Sequence, residues 1–205
     1  MRRTGAAVAV VAAIALAGCA PAAPTPPSPA VTPAPTSTPT PTASTTAPSP
    51  AAEWTLHDDP QPEPNCTGPG DAAAVDGTLH VYVSIADQHL WECSGENLIM
   101  DSDVSTGASG LDPDYATPIG TFAIAGMVRD TELVGHDSHG SWDDSVAYWM
   151  PFDDEVGFHD ASWQTFPFGS SEYPQSGSHG CVHMPLDAIA HLYGDVSIGT
   201  PVTIR

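Results

Sequence analysis

The 205-residue sequence has no lysine, and its only other basic side chains besides histidine are Arg2, Arg3, Arg129 and Arg205. Against them stand 25 carboxylates, all at or beyond Glu53. The part from Glu53 onward therefore carries a net charge of −23, and Arg2 and Arg3 bring the whole chain to −21. A surface so poor in cations repels phosphate backbones, which excludes nucleic-acid partners, and it cannot adhere electrostatically to anionic lipid. The acidity reads as a solvated surface suited to a salty milieu. No stretch has the D-x-D-x-D-G layout of a calcium loop. His136 and His139 have ligand-like spacing but no evident third ligand, so neither a metal nor a cofactor is expected.

Long apolar runs are also missing. The run from Ala6 to Ala17, after Arg2 and Arg3, is too short to span a bilayer and reads as a secretory signal over residues 1–18. It closes in Leu16-Ala17-Gly18-Cys19, which resembles the bacterial lipoprotein cleavage box; the resemblance implies that Cys19 is lipidated. Residues 19–52 are almost entirely Pro, Ala, Thr and Ser, a composition that cannot bury enough apolar surface to fold and that favours an extended tether. The chain is thus expected to be exported and lipid-anchored on the outer face of the bacterial cytoplasmic membrane, its domain reaching the cell wall.

Residues 53–77 are polar and proline-rich and read as an extension packed on the domain edge. From Leu79 the chain alternates, with Leu79, Val81, Val83 and Ile85 against His80, Tyr82 and Ser84, the period of a half-buried strand. Residues 88–93 read as its hairpin partner, 98–105 as a third strand and 116–124 as a turn and strand. Residues 126–145 form a long polar insertion, followed by strands at 146–152 and 156–159. Pro185 to Tyr193 reads as one helix, closed by Gly194, and Pro201 to Ile204 as a last strand. The fold class is mainly β, sandwich-like, with one short helix. Tyr148, Trp149, Trp163 and Phe166 are assigned to the core rather than a cleft, and His191 to packing or surface.

Besides Cys19, three cysteines remain to be placed. Cys66 and Cys93 lie outside any reactive-looking motif in an exported chain, and a bridge between them would close a loop of about 27 residues, which the loop-entropy account values at roughly 3.5 kcal/mol. Cys181 is then the odd thiol, in Ser178-His179-Gly180-Cys181-Val182-His183. It lies two residues after one imidazole and about 22 after another, His159 in Gly157-Phe158-His159-Asp160. A buried cysteine beside surface histidines and a Cys-His acyl-transfer site both fit those residues. An imidazolium beside the thiol would bring its pKa from ~8.5 to ~7 or below.

Residues 78–205 resemble the L,D-transpeptidase catalytic-domain (YkuD-like) family. The motifs that carry the likeness run in order: Ser105-Thr106-Gly107, Thr117-Pro118-x-Gly120-x-Phe122, His159, Ser178-His179-Gly180-Cys181 and Gly199-Thr200-Pro201-Val202. The resemblance implies a β-rich fold with a cleft and a cysteine acyltransferase that forms 3→3 cross-links between peptidoglycan stem peptides, donor and acceptor, in cell-wall biogenesis. It makes Cys181 the nucleophile and His159 its base, with the ring oriented through the backbone at Asp160. His179, Gly180 and Ser178 then shape the pocket, the N–H groups of Cys181 and Gly180 hold the oxyanion, and carbapenem-type β-lactams are inhibitors. His183 replaces the usual Arg or Asn and puts that substrate contact in doubt. The rival functions are an L,D-carboxypeptidase or cysteine peptidase on the same site and a non-catalytic wall-binding lipoprotein.

Overall fold

The computed structural model describes residues 53–58, 63–66 and 78–205. The signal segment, Cys19 and the tether lie outside the described residues, as do 59–62 and 67–77. Among the described residues no helix is long and apolar enough to cross a membrane.

Ten strands among the described residues form two sheets. The first has the order β1 (Trp54–Leu56), β4 (Asn97–Asp103), β3 (His89–Ser94), β2 (Leu79–Ser84), β10 (Pro201–Ile204), β5 (Gly120–Ala123). The second has the order β6 (Val128–His136), β7 (Ser141–Asp153), β8 (Val156–Asp160), β9 (Val182–Met184). Among the described residues the strand pairs β2–β10 and β8–β9 are parallel and the other strand pairs antiparallel. Both sheets and the helix α2 (Leu186–Asp195) contribute to one core, which includes Val81, Leu90, Met100, Met150, Phe158, Val182, Ile189 and Ile204. The mainly-β architecture read from the sequence is present, with its short helix, α2, after the cysteine motif; among the described residues a four-residue helix, α1, also spans Tyr173–Ser176.

Three local readings change. Strand β2 is buried on both faces rather than one. Tyr82, on the face expected to be wet, is fully buried with Trp91, Leu98 and the cysteine pair Cys66 and Cys93. That second cluster is covered by the turn at 63–66, where Cys66 and Cys93 are joined by a disulfide. The Arg205 guanidinium lies 5.5 Å from the Tyr82 ring and donates to the Asn65 carbonyl, closing the same patch. Helix α2 runs through Gly194 to Asp195, since a solvated last turn tolerates glycine. Residues 126–145 are no loop: β6 and most of β7 pair along them from Val128↔Trp149 to His136↔Ser141. Their charge hid the alternation, because this ribbon extends beyond the core and buries little of either face.

Because the bridge joins residues 27 apart in sequence, Cys66→Ser is expected to lower stability by about 2–4 kcal/mol. Urea unfolding of the two proteins measures the difference.

Candidate active site

The loop before β9 is built from the backbone outward. Gly180 adopts φ +121°, which side chains rarely adopt, and this turns the chain sharply just before the thiol. Ser178 is buried, and its hydroxyl accepts the Gly180 N–H at 3.0 Å while donating to the Cys181 carbonyl. Thr117 clamps the turn from the other side. Its hydroxyl donates to the Gly180 carbonyl and accepts the Gly107 N–H, both at 2.9 Å. Gly107 pairs with Ser178, and a β-carbon there would lie 1.7 Å from the Tyr115 carbonyl oxygen, so only glycine fits. The Ser105-Thr106-Gly107 and Thr117-Pro118 motifs thus act as the frame of the cysteine loop.

His159 on β8 lies in register with His183 on β9, so parallel pairing alone brings two imidazoles from distant sequence side by side, ring centres 4.7 Å apart. The His159 Nδ1–H donates to the Asp160 carbonyl at 3.0 Å, which leaves Nε2 as the basic nitrogen. Burial lowers the pKa of His159, only partly countered by Asp160. The Asp160 carboxylate faces away from the cleft and accepts the N–H groups of Ala147 and Tyr148, each at 2.9 Å. Asp160 therefore holds β8 to β7 and orients the ring through its carbonyl; it does not line the pocket.

His159, Cys181, His183 and His179 line one cavity of about 860 Å³, together with Tyr115, Trp142, Trp149 and Trp163. Cys181 is partly buried, and its Sγ lies 3.7 Å from the Glu155 carbonyl oxygen. Burial pushes the thiol up to about 11; the Gly157 N–H opposes this and the Glu155 carboxylate adds to it. Burial thus favours the protonated thiol over the imidazolium-stabilised thiolate expected from the sequence. Among the described residues no hydrogen bond joins Sγ to His159. What the geometry provides is a thiol and an oriented imidazole opening onto one space.

The other sequence-marked residues divide between roles. The Gly180 N–H is engaged by Ser178 and so is not a spare oxyanion donor, contrary to expectation. His179 is exposed; its ring stacks on Trp142 at 4.3 Å and packs edge-on against Tyr115 at 4.5 Å, while Tyr115 donates to Asp137. His183 is buried, its pKa held well below the usual imidazole range by burial first and by His159 next. Its Nδ1–H donates to Gln164 Oε1 at 3.0 Å, and Gln164 in turn donates to Ser105 and Phe166. Neutral His183 therefore packs beneath the motif. Trp149, Trp163 and Phe166, assigned to the core from sequence, line this cavity or the one beside it; Tyr148 does pack against the core. Sequence reasoning missed Gln164, Tyr115 and Trp142, since each acts through a contact between residues far apart in the chain.

The profile of the L,D-transpeptidase catalytic domain, YkuD, matches residues 78–204. No curated protein matches the sequence. Among solved structures, the chain is similar to the Ldtfm carbamoyl enzyme formed with avibactam, 30% identical with a TM-score of 0.56, covering 64% of this chain and 49% of that one. It is also similar to the catalytic domain of the Enterococcus faecium L,D-transpeptidase acylated by ertapenem, 30% identical with a TM-score of 0.53, covering 64% of this chain and 98% of that one. A cysteine-to-serine mutant of the Enterococcus faecium enzyme is 29% identical with a TM-score of 0.57, covering 63% of this chain and 50% of that one. The chain thus spans about half the length of two of these proteins.

Proposed function

The chain belongs to the L,D-transpeptidase catalytic-domain family, and on that premise we propose that it cross-links peptidoglycan stem peptides through an acyl-enzyme on Cys181. The observation that carries the reading is the cavity shared by Cys181 and His159, with the His159 ring fixed by Asp160 so that Nε2 is its base. The Sγ–H proton passes to Nε2 as the sulfur attacks the carbonyl carbon of the donor stem's third residue. The bond to the terminal D-alanine breaks, the proton leaves with its amine, and a thioester remains. The amine of a neighbouring stem's third residue then attacks, giving up its proton to His159, and the thiol is restored as the 3→3 bond forms.

With the Gly180 amide taken by Ser178, the Cys181 N–H is the donor for the oxyanion. Trp142, Tyr115 and His179 form an aromatic wall along one side of the cavity. Asp114, Glu132, Asp137, Asp144, Asp154 and Glu155 also line it, with no lysine or arginine among its lining residues. Such a cleft attracts the ammonium group of an acceptor stem before deprotonation. Carbapenem-type β-lactams would acylate this sulfur; the similar Enterococcus faecium catalytic domain is acylated by ertapenem. The signal segment, lipidated Cys19 and the tether would hold this domain outside the cytoplasmic membrane, within reach of the wall.

Incubation with disaccharide tetrapeptides, followed by separation and mass analysis of the products, tests the reaction. Dimers linked 3→3 are expected. Tripeptide products alone would assign the chain to L,D-carboxypeptidase activity, with water as the acceptor.

A further inference from the structure

Glu92 on β3 lies in register with Val81 on β2 and Met100 on β4, both wholly buried in the main core. Its side chain is wholly buried too, and neither carboxylate oxygen has a hydrogen-bond partner. A carboxyl group buried without hydrogen-bond partners is costly to a fold even when neutral, and burial, with Asp195 nearby, pushes Glu92 up to about 8. Facing it from α2 are His191 and Asp195, one turn apart on the same side of the helix. His191 Nε2, buried and also without a hydrogen bond, lies 3.9 Å from Glu92 Oε2 and 3.4 Å from Asp195 Oδ2. Donor atoms of all three residues lie within 4.8 Å of one another. Trp54 on β1 stacks on the His191 ring, their centres 6.1 Å apart.

We propose that Glu92, His191 and Asp195 form a binding site for a divalent transition-metal cation, with zinc the best fit. One imidazole nitrogen and two carboxylate oxygens are an N/O donor set that zinc takes, and a dication balances the two carboxylate charges. Tetrahedral zinc with bonds of about 2.0–2.1 Å sets its ligand atoms about 3.3 Å apart. The His191–Asp195 separation of 3.4 Å already meets that spacing, while the His191–Glu92 separation of 3.9 Å and the Glu92–Asp195 pair, within 4.8 Å, would close by rotation of the His191 and Asp195 side chains. Asp195 is partly exposed, so the fourth position opens toward solvent and suits a water. None of the three residues lines the cavity of Cys181. The site instead ties α2 to the first sheet, and α2 begins two residues after β9, the strand that follows the nucleophile. Its role is structural, fastening the helix behind the cysteine loop.

The probe is Zn²⁺ itself, titrated into chelator-treated full-length protein carrying Cys181→Ser, so that the cleft thiol supplies no competing ligand. Calorimetry should show one equivalent bound to this site, and Tm should rise by about 5–10 °C at a hundredfold excess over Kd. Glu92→Gln should remove that equivalent and the Tm gain; Asp195→Asn and His191→Ala should each weaken binding at least tenfold. Should Glu92→Gln not fold, the two helix variants decide the matter. Absence of bound zinc in the parent, or an unchanged Tm gain in the helix variants, would overturn the proposal.

Discussion

Cys181→Ala is expected to abolish stem-peptide conversion, lowering turnover by about 10⁴-fold or more, with Tm changed little. Removing the nucleophile of an acyl-transfer site leaves only binding and oxyanion contacts, which carry a small residue of the rate. The fold should tolerate the change because the loop is held by other groups. Ser178 and Thr117 fix the Gly180 turn, and the Sγ meets only backbone groups, the Glu155 carbonyl at 3.7 Å and the Gly157 N–H. Turnover of tetrapeptide by the purified variant, with Tm measured alongside, checks both halves. A variant that keeps a tenth of the activity would show that another group performs the attack.

His159→Ala should lower the rate of acylation by about 10²–10⁴-fold at neutral pH, the usual contribution of a positioned base. The pH profile separates this from a merely structural defect. In the wild type the thiol, raised to about 11, stays protonated through neutrality, and His159, its pKa lowered by burial, stays neutral and able to accept the proton. The wild-type rate should therefore be nearly flat from mildly acidic to mildly alkaline pH, falling on the acid side only where the lowered imidazole protonates. Without His159 the reaction must wait for free thiolate, so the rate should climb about tenfold per pH unit toward the thiol's own pKa. The deficit of the variant should shrink steadily at alkaline pH. Stopped-flow acylation by a carbapenem between pH 5 and 10 checks this; parallel profiles for the two proteins would remove His159 from the chemistry.

The position of the candidate site was legible in the sequence because the residues that frame it are concentrated in short, ordered motifs. The glycine before Cys181 and the threonine at 117 have backbone jobs that the motif reports directly: a turn with positive φ and a hydroxyl bridging two backbone segments. The strands around 79–105, the helix after Pro185 and the closing strand were legible from their periodicity. The β6–β7 ribbon was not, since a hairpin extending from the core keeps polar residues on both faces. Nor was the electrostatic state of the thiol: its high pKa comes from burial and from Glu155 at the β7–β8 turn, a neighbour only in space. The same holds for Glu92, which reads as one polar residue in a strand until His191 and Asp195 are brought over it.

The most direct measurement is the intact mass of the wild type after exposure to a carbapenem, followed by peptide mapping of the modified protein. One covalent adduct per chain is expected, on the peptide that carries Cys181, and none in Cys181→Ala. An adduct on another residue, or an unmodified wild type after prolonged exposure, would contradict the assignment of Cys181 as the acyl-carrying nucleophile.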